Sequence, residues 1–172
     1  MKPIAGWLLL AVMLLSGCGY HAIGHGNRLP QDVHTLAIPM FINQTQTYAV
    51  EQILTRDVAR EFIGRTRYRV VTESSDNVDA VLKGTVLSAQ AAPLTYDAQT
   101  GRISSAEVTV TMKVTLADRS GRVLFENPNY SFREQYQVSR EVTSFFQEET
   151  PALQRLSRDF ARTLVSDILE AF

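Results

Sequence analysis

Ile103-Ser104-Ser105-Ala106-Glu107-Val108-Thr109-Val110-Thr111-Met112-Lys113-Val114-Thr115-Leu116-Ala117 is the stretch that decides the fold. Successive side chains of an extended strand point to opposite faces, so Ala106, Val108, Val110, Met112, Val114 and Leu116 share one face. Glu107, Thr109, Thr111, Lys113 and Thr115 share the other. One sheet face is therefore apolar and the other wet. At ~3.3 Å per residue the run reaches about 50 Å, more than twice the usual ~17–20 Å. Asp118-Arg119-Ser120-Gly121 turns the chain, with glycine where a positive φ is wanted, into a second run from Val123 to Tyr136. Asn127-Pro128-Asn129 interrupts that run and predicts a bulge or an edge kink. Upstream, Ala80 to Ala89 alternates more weakly and completes an antiparallel meander of three strands.

Two amphipathic segments are available to cover the apolar face. Tyr48 to Ile63 carries a helical stripe of Val50, Ile53, Leu54, Val58 and Phe62, with Thr45 or Thr47 as cap and Gly64 as its close. Thr150-Pro151 reads as an N-cap followed by proline at the first helical position. It opens a helix that presents Leu153, Leu156, Phe160, Leu164, Ile168 and Phe172 on one side. Val33 to Phe41 is a strand placed at an edge because Pro39 has no N–H for a ladder, and Tyr68 to Thr72 is another short strand. A strand, helix, strand order with this crossover favours right-handed parallel pairing of those two. The expected fold class is α/β of the α+β kind, two helices packed on one face of a mixed, mostly antiparallel four- to five-stranded sheet.

The 172 residues are 45% apolar and 20% charged, with 17 Lys and Arg against 18 Asp and Glu, a net charge of −1. That balance lacks the basic footprint by which a protein neutralises a nucleic-acid backbone. The single cysteine, Cys18, excludes an internal disulfide and the usual two-plus-two structural zinc site. Its setting accounts for it. Lys2 followed by the apolar run Trp7 to Leu15 and the small pair Ser16-Gly17 has the make-up of a secretory signal, too short for the roughly 20 apolar residues of a membrane-spanning helix. Leu15-Ser16-Gly17-Cys18 resembles the bacterial lipobox, which implies cleavage before Cys18, an S-diacylglycerol and N-acyl group on that residue, and a stable anchor from several acyl chains. Gly19 after the cysteine resembles an outer-membrane address. The expected organisation is a cleaved signal over 1–17, a lipid-anchored tether over 18–31, and a single globular domain over 32–172.

Catalytic motifs are missing. The sequence has no Gly-x-Ser-x-Gly elbow, no His-Glu-x-x-His and no phosphate loop, and Gly24 to Leu29 fails the dinucleotide pattern. His21, His25 and His34 are the only histidines, and the glycines around His25 break the helix that a His21-x₃-His25 metal pair needs, so no metal and no cofactor beyond the lipid are expected. A lipid-anchored hydrolase requires a titratable pair that the chain does not offer. Arg56, Arg60, Arg65, Arg67 and Arg69 gather at the end of the first helix, where cations complement its dipole. Arg102, Lys113 and Arg133 have no such local explanation and are candidates for the phosphates of an anionic lipid.

Cys18-Gly19-Tyr20-His21, then Leu36-Ala37-Ile38-Pro39-Met40-Phe41-Ile42-Asn43 running into a helix, resembles the LptE family of lipopolysaccharide-assembly lipoproteins. The Tyr96 to Arg102 tip, the Leu116 to Leu124 hairpin, Tyr136, Phe145-Phe146-Gln147-Glu148-Glu149 and Arg158-Asp159-Phe160-Ala161 extend the resemblance through the chain. It implies a non-enzymatic lipoprotein at the periplasmic face of the outer membrane, plugging the lumen of the LptD β-barrel, assisting its assembly and binding lipopolysaccharide. In that setting Glu107, Thr109, Thr111 and Thr115 form the barrel-facing surface, since a barrel interior is polar. The competing expectation is a periplasm-facing lipoprotein that scaffolds another envelope complex without a barrel partner.

Overall fold

The computed structural model describes residues 33–74, 77–138 and 145–171, with the backbone alone for 145–150. The signal, Cys18 and the tether lie outside the described residues. The elements run β1 (Thr35–Ala37), β2 (Ile42–Asn43), α1 (Val50–Arg65), β3 (Arg69–Val71), β4 (Ala80–Tyr96), β5 (Ile103–Asp118), β6 (Val123–Gln137) and α2 (Phe145–Glu170). They form one mixed sheet in the order β3-β1-β4-β5-β6, with β2 also laid along β4. β1 pairs in parallel with both β3 and β4, whereas β4-β5 and β5-β6 are antiparallel. The expected α+β architecture and the parallel β1-β3 pair stand; the sheet has six strands because the first expected strand divides in two.

That division is a correction with a physical cause. Pro39 cannot donate to a ladder, so the chain leaves the sheet after Ala37 and re-enters as the two-residue β2. β1 consequently lies inside the sheet, between β3 and β4, rather than at an edge. Three other boundaries differ. β4 continues seven residues beyond Ala89 to Tyr96 although its distal half is exposed and rich in small residues. α1 has no threonine cap: Ala49 precedes it in the left-handed region at φ 56°, and the turn before it is built on Asn43. The Asn43 carboxamide accepts from the Thr45 N–H at 2.8 Å and donates to Thr47 O and Glu51 Oε2, each at 2.9 Å. α2 starts at Phe145, so Pro151 is inside the helix rather than at its first position. Phe172 lies outside the described residues.

Both helices cover the same face of the sheet. One core cluster joins Leu54, Val58 and Phe62 of α1 and Leu156, Phe160, Leu164 and Ile168 of α2 to Leu82 and Val86 of β4 and the even-numbered row Ala106 to Leu116 of β5. Tyr130 and Phe132 of β6 close it, stacked at 5.1 Å between centroids and met edge-on by Phe160. α1 and α2 are joined at a buried polar contact where the Ser157 hydroxyl donates to Asp57 Oδ2 at 2.9 Å. Asp57, only 4% exposed, also meets Arg56 and Arg60, so its charge is compensated.

Candidate functional site

The face of the sheet away from the helices is a continuous surface built from strand residues. Along β5 it presents Glu107, Thr109, Thr111 and Thr115, all half-buried, and the exposed Lys113. The register sets these against Gln135, Arg133, Ser131 and Glu126 of β6 and against Ala92, Gln90, Thr85 and Lys83 of β4. Ile42 of β2, opposite Thr85, adds an exposed apolar side chain at 61%. The alternation in β5 identified its own residues on this face. Lys83, Gln90, Ser131 and Gln135 reach this face through cross-strand pairing, which no local pattern in the sequence marks.

Two bulges decide which side chains this face receives. Between Met112 and Val114 the β5-β6 register shifts at Asn127-Pro128-Asn129. Without that extra residue Glu126 would point into the core and Asn127 outward; with it, Phe125 packs against the core and Glu126 stands beside Thr115 on the outer face. Glu126 then reaches Lys113, with Nζ to Oε1 at 2.9 Å. The second shift, between Val86 and Ser88, expels Leu87 and returns Ala89 to the core side opposite Val110.

The charges of the face are mostly held in cross-strand pairs. Besides Lys113–Glu126, Arg133 Nη1 is 4.0 Å from Glu107 Oε1, and the Thr111 hydroxyl bonds Ser131 Oγ at 3.4 Å. All these charged groups are solvent-reached, so each pair contributes at most about 1 kcal/mol and the face stays adaptable. The three basic candidates do not form one cluster. Lys113 and Arg133 share the outer face, four β5 positions apart along the register and so about 14 Å. Arg102 is at the far tip of the β4-β5 hairpin, some 37 Å from Lys113 along the strand. That tip is shaped by Asp97, whose carboxylate accepts from Gln99 N and Thr100 N, and by Gly101 at φ 66°.

Displaced carboxylate pKa values lie elsewhere and have structural causes. Asp79 is held below the ordinary carboxylate range chiefly by the His34 N–H it accepts, then by the Thr35 N–H. Asp118 is lowered first by the Ser120 hydroxyl in the β5-β6 turn. Burial, with Glu170 nearby, raises Asp167. Among the described residues no group of three or more His, Cys, Asp or Glu is arranged to hold a metal ion. None of the described helices is long and apolar enough to cross a membrane. The geometry offers a broad polar sheet face.

A family model described as LptE, lipopolysaccharide-assembly, matches residues 33–168. No curated protein sequence matches the chain. Among solved structures, uncharacterized lipoprotein B from Nitrosomonas europaea is 14% identical with a TM-score of 0.54, over 86% of this chain and 88% of that one. Rare lipoprotein B from Shewanella oneidensis is 12% identical with a TM-score of 0.52, over 78% and 92%. A putative lipoprotein from Caulobacter crescentus is 10% identical with a TM-score of 0.51, over 76% and 88%. At these identities the likenesses establish a common fold.

Proposed function

Since the chain belongs to the LptE family of lipopolysaccharide-assembly proteins, we propose that it is an outer-membrane lipoprotein that plugs and helps assemble the LptD β-barrel and binds lipopolysaccharide on its way to the outer leaflet. The anchor in this reading is the acylated Cys18, which holds the domain at the periplasmic face of the membrane. The observation that carries the plug reading is the outer sheet face. A surface of threonines with most of its charges already paired across strands suits the polar lumen of a large barrel, because docking there strips few unpaired charges of water.

The test is a detergent pull-down of the lipidated protein from its own outer membrane, with a photo-crosslinking residue at Thr109 or Thr111 and, as control, at Arg162 on the helical side. A large β-barrel recovered in near-equal amount and crosslinked from the strand positions supports the proposal. Recovery of the lipoprotein alone from membranes that contain such a barrel refutes it. Cys18→Ala is expected to abolish labelling by a fatty-acid probe, and persistent labelling means that the anchor is elsewhere.

A further inference from the structure

On the opposite side of the core, α2 and the edge strand β6 enclose a groove of about 280 Å³ lined by Glu134, Arg155, Arg158, Asp159 and Arg162. The three arginines follow i, i+3, i+7 spacing, so they lie in a row along one side of the helix. Glu134 is on the helix-facing side of β6, opposite Val108. Two of the arginines have carboxylate partners: Arg155 Nε is 2.5 Å from Glu134 Oε1, and Arg162 Nη1 is 3.5 Å from Asp159 Oδ1. Arg158 has none within 4.0 Å among the described residues. Its Nε donates to Gln154 O at 3.1 Å, which holds the side chain against its own helix where it lines the groove.

We propose that this groove binds a phosphoryl group, with Arg158 as the central contact and Arg155 and Arg162 turning toward it from their present partners. The lining carries three guanidinium groups and two carboxylates, a surplus of one positive charge. Guanidinium meets phosphate with two parallel N–H bonds, a geometry that lysine does not supply. Solvent-exposed ion pairs hold their partners weakly, so exchanging Asp159 for a doubly charged phosphoryl oxygen set is favourable. The β5-β6 part of the sheet face differs in this respect, since its two cations, Lys113 and Arg133, are engaged across strands. A phosphoryl group can arrive on the sugar head of a phosphorylated glycolipid or as free phosphate. The lipid source rests on the functional reading above; the phosphoryl site does not.

The experiment uses the full lipidated chain in nonionic detergent, titrated with three probes: inorganic phosphate, phosphorylated lipid A in mixed micelles, and the same lipid A with its phosphates removed. The expected result is preference for the phosphorylated lipid, reduced at least tenfold and made indifferent to phosphate by Arg158→Ala combined with Arg162→Ala. Glu134→Gln, which frees Arg155, is expected to tighten binding. Both changes are at exposed or rim positions, and an unchanged thermal unfolding curve checks that the fold is intact. Loss of inorganic phosphate binding in the double variant, with lipid binding unaltered, keeps the phosphoryl site and assigns it to free phosphate. Equal affinity of wild type and double variant for both phosphate-bearing probes overturns the site. A wild type that binds no lipid A and retains phosphate binding refutes the lipopolysaccharide reading instead.

Discussion

Gly84 sits in the core row of β4 with Leu82 and Val86, beneath the ring of Phe41. A Cβ added there would stand 2.8, 2.8 and 2.9 Å from Phe41 Cδ1, Cγ and Cδ2, inside the approach that carbon atoms tolerate. The ring cannot simply swing away. Phe41 is buried, and its backbone N–H donates to the Thr55 hydroxyl of α1 at 3.0 Å while that hydroxyl donates to Glu51 O. In open strand surroundings glycine to alanine stabilises by roughly 0.5–1 kcal/mol through lost unfolded-state freedom. Overpacking a buried seat costs about 1–3 kcal/mol, and contact with three ring carbons puts this site in the upper part of that range. Gly84→Ala is therefore expected to destabilise by about 1–2 kcal/mol.

The discriminating step is to repeat the change without the ring. Phe41→Ala alone is expected to cost about 3–5 kcal/mol. In that background Gly84→Ala should stabilise, by about 0.5–1 kcal/mol, because only the entropic benefit remains. A sign reversal is a coupling of about 2 kcal/mol between two residues in contact. Urea denaturation of residues 19–172, followed by far-ultraviolet circular dichroism, measures all four corners of the cycle, with Phe41→Leu in place of Phe41→Ala if the double variant does not fold. Additive effects, or a neutral Gly84→Ala in the parent, refute the argument that this glycine exists to seat Phe41 and hold β2 at the rim of the outer face.

Tyr130 places its hydroxyl in the core without a hydrogen-bond partner among the described residues, so Tyr130→Phe is expected to raise stability by about 1 kcal/mol in the same assay, and a loss of stability contradicts it. Asp79→Ala removes the acceptor of two backbone N–H groups at the start of β1 and should cost about 1 kcal/mol at pH 7. Because the folded-state pKa of Asp79 is depressed, its contribution is present above the unfolded value of about 4 and fades as pH falls through the lower folded value. Parent and variant unfolding curves should therefore converge below about pH 4, and a gap that stays constant to pH 2 would show that the carboxylate charge is irrelevant. For the outer face, Lys113→Glu sets two carboxylates together and should weaken recovery of the barrel, whereas the swap Lys113→Glu with Glu126→Lys should restore it. Equal loss in both variants would mean that the cation of Lys113, and not the pair, is what the partner needs.

What was legible in the sequence is what depends on a local period. The alternation from Ala106 to Leu116 named both faces of β5, and the spacing of Leu153, Leu156, Phe160, Leu164 and Ile168 named the buried side of α2. What was hidden depends on pairing across the sheet. The weak alternation of Ala80 to Ala89 reflects the shift between Val86 and Ser88, which reverses the phase of β4, and Ala91, Ala92 and Pro93 carry no strand preference of their own. β5 imposes extension on them through the ladder. Pro151 misled for a related reason: the rule placing proline at a helix start concerns local backbone geometry, and a helix docked on a core can extend past it. The Ser157–Asp57 contact joins residues from distant segments, and the arginine groove is completed only when β6 brings Glu134 against the row on α2, so neither is complete within one segment.

The two surfaces hold charge differently because strands and helices space side chains differently. Across an antiparallel pair, diagonal neighbours on one face are about 7–8 Å apart, within reach of long side chains, so Lys113 of β5 and Arg133 of β6 each find a carboxylate on the neighbouring strand. On α2, the i, i+3, i+7 row gives Arg155 a partner from β6 and Arg162 a partner from its own helix, and it leaves Arg158 between them with none among the described residues. A surface with paired charges accepts a polar wall without desolvating an isolated ion, whereas an unpaired guanidinium in a groove selects for an anion. The core separates the outer face from the groove. The proposed partner on the sheet and the proposed phosphorylated ligand on the helix thus use opposite sides of one small domain.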